Sequence, residues 1–173
     1  FFVKIDVGYN RTGLNPADTF TIDRILEMAD SCSNMHFKGF LAHAGHTYKC
    51  ESREEVIGIH KKSVELLTTL KAMYLKRHPD IIISSGDTPS CSIVDDFTGI
   101  DEIRPGNFVF YDLTQHQIGS NNINQIAVVM VCPIVAIHND RNEIVIYGGG
   151  VHFSKESLTD EKSGTIFGRI VAK

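Results

Sequence analysis

Along the first hundred residues, short β-branched apolar runs alternate with segments whose apolar residues recur at helical spacing. Val3 to Val7 reads as a strand, followed by a Gly/Asn/Thr turn through Gly13. Asn15-Pro16 predicts a helix start, and Ile22, Ile25, Leu26 and Ala29 continue it for roughly three turns. His36 to Ala42 is the next predicted strand. Ser52 and Glu55 form a capping-box pair ahead of Val56, Ile59, Val64, Leu67 and Leu70, a long amphipathic helix that ends before Pro79. Asp80 to Ser84 reads as a buried strand, a short helix opens at Thr88-Pro89, and Ile100 to Arg104 is a fourth strand. Strands and helices in this alternation predict a parallel α/β arrangement.

Four such strands alone leave two unpaired edges, and half of an eight-stranded (β/α)8 barrel accounts for both. The chain also opens inside a strand-like run, Phe1 to Val7, and closes on another, Ile166 to Lys173. An internal stretch of a longer protein is therefore expected. Near residue 119 the pattern changes. After the polar stretch Gly119-Ser120-Asn121-Asn122, helical periodicity gives way to a β-rich run from Ala127 to Ile137. Asn139 to Asn142 predicts a hairpin turn, Glu143 to Tyr147 its return strand, and Gly148-Gly149-Gly150 and a final short strand follow. The expected organisation is thus residues 1–118, the second half of a barrel, and residues 119–173, the start of a β-rich domain.

Composition narrows the function classes. With 42% hydrophobic and 22% charged residues, the 173-residue chain reads as a soluble globular protein. A net charge of −4 argues against a broad nucleic-acid surface, and no apolar run approaches the ~20 residues of a transmembrane helix. Cys32, Cys50, Cys91 and Cys132 lack CxxC spacing, which fits a reducing, cytoplasmic setting.

Candidate chemistry gathers at the strand ends. After Ile81-Ile82-Ile83 come Ser84, Ser85, Gly86, Asp87 and Thr88-Pro89, where unpaired backbone N–H groups and a glycine can receive an anion such as phosphate. Arg104-Pro105-Gly106-Asn107 ends the next strand and adds a cation and further N–H groups. His43-Ala44-Gly45-His46-Thr47-Tyr48 follows the second strand. Its two histidines lack further ligands except Cys50, so cofactor stacking or acid/base work is expected over metal binding. Arg11 sits on the glycine-flanked turn Gly8 to Gly13. A phosphate-sugar barrel enzyme and a cofactor enzyme both fit such loops.

Taken together, the four loops resemble the fold-type III pyridoxal-phosphate (PLP) enzymes, alanine racemase and more closely the D-threonine aldolase and D-serine dehydratase group. Asp6-Val7-Gly8-Tyr9-Asn10-Arg11-Thr12-Gly13 resembles the family's D-x-G-x-x-R-x-G turn, and His43 to Tyr48 its H-x-G-x-x-Y loop. Gly86-Asp87-Thr88-Pro89 is similar to its G-S-T-P phosphate loop with Asp87 in place of serine. Arg104-Pro105-Gly106-Asn107-Phe108-Val109-Phe110-Tyr111-Asp112 resembles its R-P-G-x-Y-x-F-x-D strand end, and the run to Gly150 and Ser154 the entry into its C-terminal β domain.

The resemblance implies pyridoxal 5'-phosphate as cofactor and a lyase acting on D-amino acids that bear a β-hydroxyl. Racemase activity and a non-catalytic PLP-binding protein are the alternatives. Arg11 would lie by the cofactor's phenolic oxygen, with Lys4, seven positions earlier, matching a lysine that can be carbamylated in alanine racemases. His43 and Tyr48 would line the ring or substrate pocket. Ser85, Gly86, Asp87 and Thr88, with Gly106 and Asn107, would hold the phosphate, and Arg104 would face the pyridine nitrogen. His43 and Arg11 are the expected catalytic residues. The family's Schiff-base lysine lies upstream of the matched region, and its divalent-metal ligands (Zn or Mn), where present, lie beyond Lys173. No metal site is therefore expected in this chain. A homodimer is implied for the full-length protein, and the present chain alone is expected to be inactive.

Overall fold

The computed structural model describes residues 1–149, 152, 155–160 and 162–171. Gly150, Ser154 and the final two residues lie outside that set. Four strands, β1 (Phe2–Ile5), β2 (Gly39–Ala42), β3 (Ile82–Ser85) and β4 (Glu102–Ile103), form one sheet in the order β1-β2-β3-β4. Every pairing is parallel, and Val3, Phe40 and Ile83 stand in one row across the sheet. Chain order and spatial order coincide because each strand is returned by a helical crossover.

Helix α1 (Thr19–Asp30) and helix α2 (Arg53–Tyr74) cover one face. Val3, Ile5, Phe40 and Ile83 alternate onto that face and pack with Ile22 and Leu26 of α1 and Leu67, Leu70 and Tyr74 of α2. The residues between them, Lys4, Leu41, Ser84 and Glu102, are in register on the other face. A second cluster, Cys50, Val56, Ile93 and Ile118, lies outside this core and packs α2 against the short helices α3 (Thr88–Ile93) and α4 (Leu113–Ile118).

Several helix ends follow local chemistry. Ser52 caps α2 by accepting from Glu55 N–H, while the Glu55 carboxylate reaches Glu51 N–H at 3.0 Å instead of closing the box on Ser52. Helix α1 starts at Thr19, four residues beyond the expected Asn15. Asn15 instead closes a turn, its side chain accepting from Ala17 N–H and its carbonyl from Asp18 N–H, and Asp18 supplies the cap. The second strand begins at Gly39 rather than His36. There the backbone comes so close to Ile82 that a Cβ would collide with it, and φ is +142°.

Beyond the 3-10 turn Ile123–Gln125, the regular elements among the described residues are all β. β5 (Ile134–His138) and β6 (Glu143–Ile146) form the expected antiparallel hairpin around residues 139–142. The run from Ala127 is shorter in strand than its composition suggests. Residues 127–133 join no sheet, and Ala127 is tied instead to Phe110 O at 2.8 Å. A second hairpin, β7 (Leu158–Asp160) with β8 (Gly164–Ile166), ends where the final strand was expected to begin; residues 167–171 join no sheet. No helix among the described residues is long and apolar enough to cross a membrane.

Candidate functional site

Parallel strands deliver the loops that follow them to one edge of the sheet. The loop after β1 is closed at its base by Asp6 N–H to Leu14 O and Leu14 N–H to Lys4 O, both 2.9 Å. The Asp6 carboxylate accepts from Gly8 N–H (2.9 Å) and Asn10 N–H (3.1 Å). Burial pushes this carboxyl up, but the N–H groups of Asn10, Gly8 and Tyr9 outweigh it and hold it below the usual range. Lys4 donates to Thr12 Oγ1 at 2.6 Å. Arg11 is exposed, its guanidinium 4.9 Å from the centre of the Tyr9 ring.

A single 3-10 turn, Gly45–Lys49, carries the loop after β2. His43 Nδ1 lies 2.7 Å from Gly86 O. A carbonyl can only accept, so Nδ1 carries a proton, and in the neutral ring this leaves Nε2 as the acceptor. The Tyr48 hydroxyl accepts from Thr88 N–H at 3.3 Å, which joins the β2 loop to the β3 loop.

The β3 loop begins at Gly86, where the Arg104 backbone approaches so closely that a Cβ would sit 2.6 Å from Arg104 N. Asp87 caps α3: its Oδ1 accepts from Ser90 N–H and from the Thr47 hydroxyl, both at 2.8 Å. Asp87 is 3% exposed with its carboxylate turned into the fold, so any phosphate role falls to its backbone. Thr88 is fully buried and its Oγ1 accepts from Asn107 N–H at 2.9 Å. Asn107 is fixed further by its amide, which donates to Asp112 Oδ2 at 2.6 Å. At Gly106 a Cβ would meet nothing within 4 Å, so the loop faces open space there.

Arg104 is drawn under the strand ends. Its Nε donates to Ser84 Oγ at 2.7 Å and an Nη to Ala42 O at 2.8 Å, and Glu102 lies 3.7 Å away. Ser84 also donates to Glu102. Burial pulls the guanidinium pKa down, against the opposing Glu102 charge. The site residues read from the sequence thus share one edge, with Gly86, Thr88, Gly106 and Asn107 in two touching loops, His43 and Tyr48 beside them, and Arg11 across from the histidines. Ser85 contributes through its carbonyl, which accepts from Arg104 N–H at 3.0 Å.

Tyr9 carries no expected role, and His46 shares only the loop's expectation of stacking or acid/base work, yet the structure brings the two together. Their rings stack at 6.3 Å and 23°, and Tyr9 meets His43 edge-on at 5.8 Å. His46 is pulled below the usual imidazole range by burial, which outweighs the nearby Asp87 and Asp6 charges. The glycine at position 45, which no turn geometry demands, was the available signal. Two shallow hollows lie elsewhere, one along Phe1–Lys4 and one between α4 and the β7–β8 hairpin.

No family model matches the chain. D-serine dehydratase from Dictyostelium discoideum is 32% identical over 164 residues, covering 90% of this chain and 41% of that protein. The chain is similar to this D-serine dehydratase over most of its own length. D-threo-3-hydroxyaspartate dehydratase from Delftia is 25% identical over 91% of the chain and 42% of its own length. Its solved structure shares the fold at a TM-score of 0.78. An alanine-racemase-like protein from Idiomarina loihiensis superposes with a TM-score of 0.76 at 26% identity, over 90% of this chain and 41% of that one. The chain therefore spans about two fifths of the length of the proteins it matches, and the resemblance read from the four loops is borne out.

Proposed function

We propose that this chain forms part of a PLP-dependent lyase that removes water from, or splits, D-amino acids bearing a β-hydroxyl. The observation that carries the reading is the pair of linked loops Gly86–Thr88 and Gly106–Asn107. The Thr88 hydroxyl ties these two loops together, the Tyr48 hydroxyl ties the first of them to the β2 loop, and Gly106 opens onto free space. That arrangement fits a phosphate group: small residues, backbone donors, and the one carboxylate turned inward. The names of the dehydratase relatives favour dehydration over aldol cleavage. Bound here, the cofactor would supply an electron sink for the bond broken at Cα.

The chain's own residues would do the rest. Gly86, Thr88, Gly106 and Asn107 would bind the phosphate, while Arg11, which has no ion pair among the described residues, would offer its donors to the ring oxygen. Arg104, locked by Ser84 and Ala42, would present a fixed positive edge beneath the pyridine. His43 Nε2 would hold or move a proton for the substrate, its ring oriented by the Nδ1 bond to Gly86. The lysine that anchors the cofactor and any divalent metal would come from outside this chain.

The architecture inferred with this reading is the second half of a (β/α)8 barrel over residues 1–118, supported by four parallel strands in sequential order. Residues 119–173 would then begin a β domain. A cytoplasmic homodimer is part of the same proposal, and the four free cysteines agree with a reducing compartment.

The test is made on the complete protein. Borohydride reduction followed by intact mass should reveal a pyridoxyl adduct, with absorbance near ~400 nm before reduction. D-Serine should then yield pyruvate and ammonia. A colourless protein without adduct overturns the reading, and a coloured one that converts D-threonine to glycine and acetaldehyde, but not D-serine to pyruvate, reassigns it to the aldolases.

A further inference from the structure

Among the loops at the strand ends, the one after β1 places a tyrosine ring against two histidines of the β2 loop. Arg11 makes no hydrogen bond or ion pair with another described residue; its recorded partner is the Tyr9 ring, 4.9 Å below its guanidinium carbon. Tyr9 is itself held firmly. It stacks on His46 and meets His43 edge-on. Gly45 makes room for it: a Cβ there would lie 2.6 Å from Tyr9 Cζ and 2.7 Å from Cδ1. The turn that carries both Tyr9 and Arg11 is fixed by the two N–H bonds to Asp6, with Asn10 at φ +57°.

We propose that Tyr9, seated against Gly45 and His46, is a positioning residue that holds the Arg11 guanidinium ready for the cofactor's ring oxygen. The inference rests on the cofactor reading above. A free arginine side chain samples many rotamers, and ordering it on binding weakens affinity. A ring beneath the guanidinium confines it beforehand while leaving its N–H donors unspent, which an ion pair would not. His46 suits the seat because its flat ring packs on Tyr9 and burial disfavours its charged form. A charged imidazolium would compete with Arg11 for the same π-system. Asp6, Asp87 and His43 are the ionisable groups that act on it.

The experiment is cofactor titration of the complete protein, followed by absorbance, in a double-mutant cycle. Tyr9→Leu should weaken cofactor binding by roughly two- to five-fold, the range expected of an exposed cation–π contact. Tyr9→Phe, which keeps the ring, should bind as the native protein does. In an Arg11→Gln background, Tyr9→Leu should cause no further loss. A loss of equal size in both backgrounds, or none in either, overturns the proposal while the cofactor reading stands. A native protein that takes up no cofactor overturns both, and shows it before any variant is made. Should Tyr9→Leu fail to fold, Tyr9→Met, which fills the seat without a π-face, replaces it in the same cycle.

Discussion

Two glycines at the strand ends give opposite expectations for an added side chain. At Gly86 an added methyl would sit 2.6 Å from Arg104 N and 2.7 Å from Arg104 C and O. Ordinary carbon contacts are ~3.5–4.0 Å, so the β4 backbone must withdraw by about 1 Å. That movement strains the Arg104 N–H bond to Ser85 O, now 3.0 Å. Overpacking of this kind costs about 1–3 kcal/mol, partly offset by ~0.4–1 kcal/mol from the stiffer unfolded chain. Gly86→Ala should therefore lose about 1–2 kcal/mol of stability. Gly106 differs: its φ is −93°, open to any residue, and its Cβ would touch nothing within 4 Å. Gly106→Leu should leave stability within ~0.5 kcal/mol of the native value yet abolish cofactor retention, because the side chain fills the space assigned to phosphate. Urea unfolding of the cofactor-free complete protein reads the first quantity, and cofactor titration reads the second. A fully stable Gly86→Ala, or a Gly106→Leu that binds cofactor like the native protein, would refute the packing and phosphate arguments respectively.

Thr88→Val keeps the shape of a buried side chain but removes the acceptor of Asn107 N–H. The unpaired donor should cost about 1–3 kcal/mol in urea unfolding, and cofactor occupancy should fall; unchanged values in both would sink the role given to this hydroxyl. Asp101 offers a pH test. Burial raises its carboxyl, but bonds from Lys71 and Ile83 N–H together hold it below 3.8. A depressed folded pKa means that the stabilisation is complete above pH 3.8 and is lost as pH falls through the folded value. Acid unfolding of Asp101→Asn should accordingly show a shallower decline than the native protein below pH 3.8. Parallel curves would count against the assignment.

Local chemistry made much of the fold legible. The Ser52 cap, the apolar spacing of Val56, Leu67 and Leu70, and the Thr88-Pro89 helix start each appear where the chain pattern puts them. Asn15-Pro16 misled because Asn15 satisfies its own turn and leaves the cap to Asp18. Residues 127–133 misled because β-branched composition does not supply a pairing strand. At the site, the residue types and their edge were readable from the order of the loops. The contacts between loops were not. Tyr9 and His46 are 37 positions apart, and only the folded sheet brings their rings together. Arg104 shows the same limit: its type was plain, but its anchorage to Ser84 and Ala42 belongs to β2, β3 and β4 together.

The inward turn of Asp87 matters for anyone redesigning this surface. Its carboxylate is shared between the start of α3 and the Thr47 hydroxyl of the neighbouring loop, and Thr47 lies 2.9 Å from Ala44 O as well. Restoring serine at position 87 to match the Gly-Ser-Thr-Pro pattern would shorten the side chain and leave Thr47 with a single acceptor. The two positions form one hydrogen-bonded unit spread over 40 residues of sequence. Replacing the residue 86–89 loop would thus call for a two-loop exchange, with position 47 transferred alongside position 87.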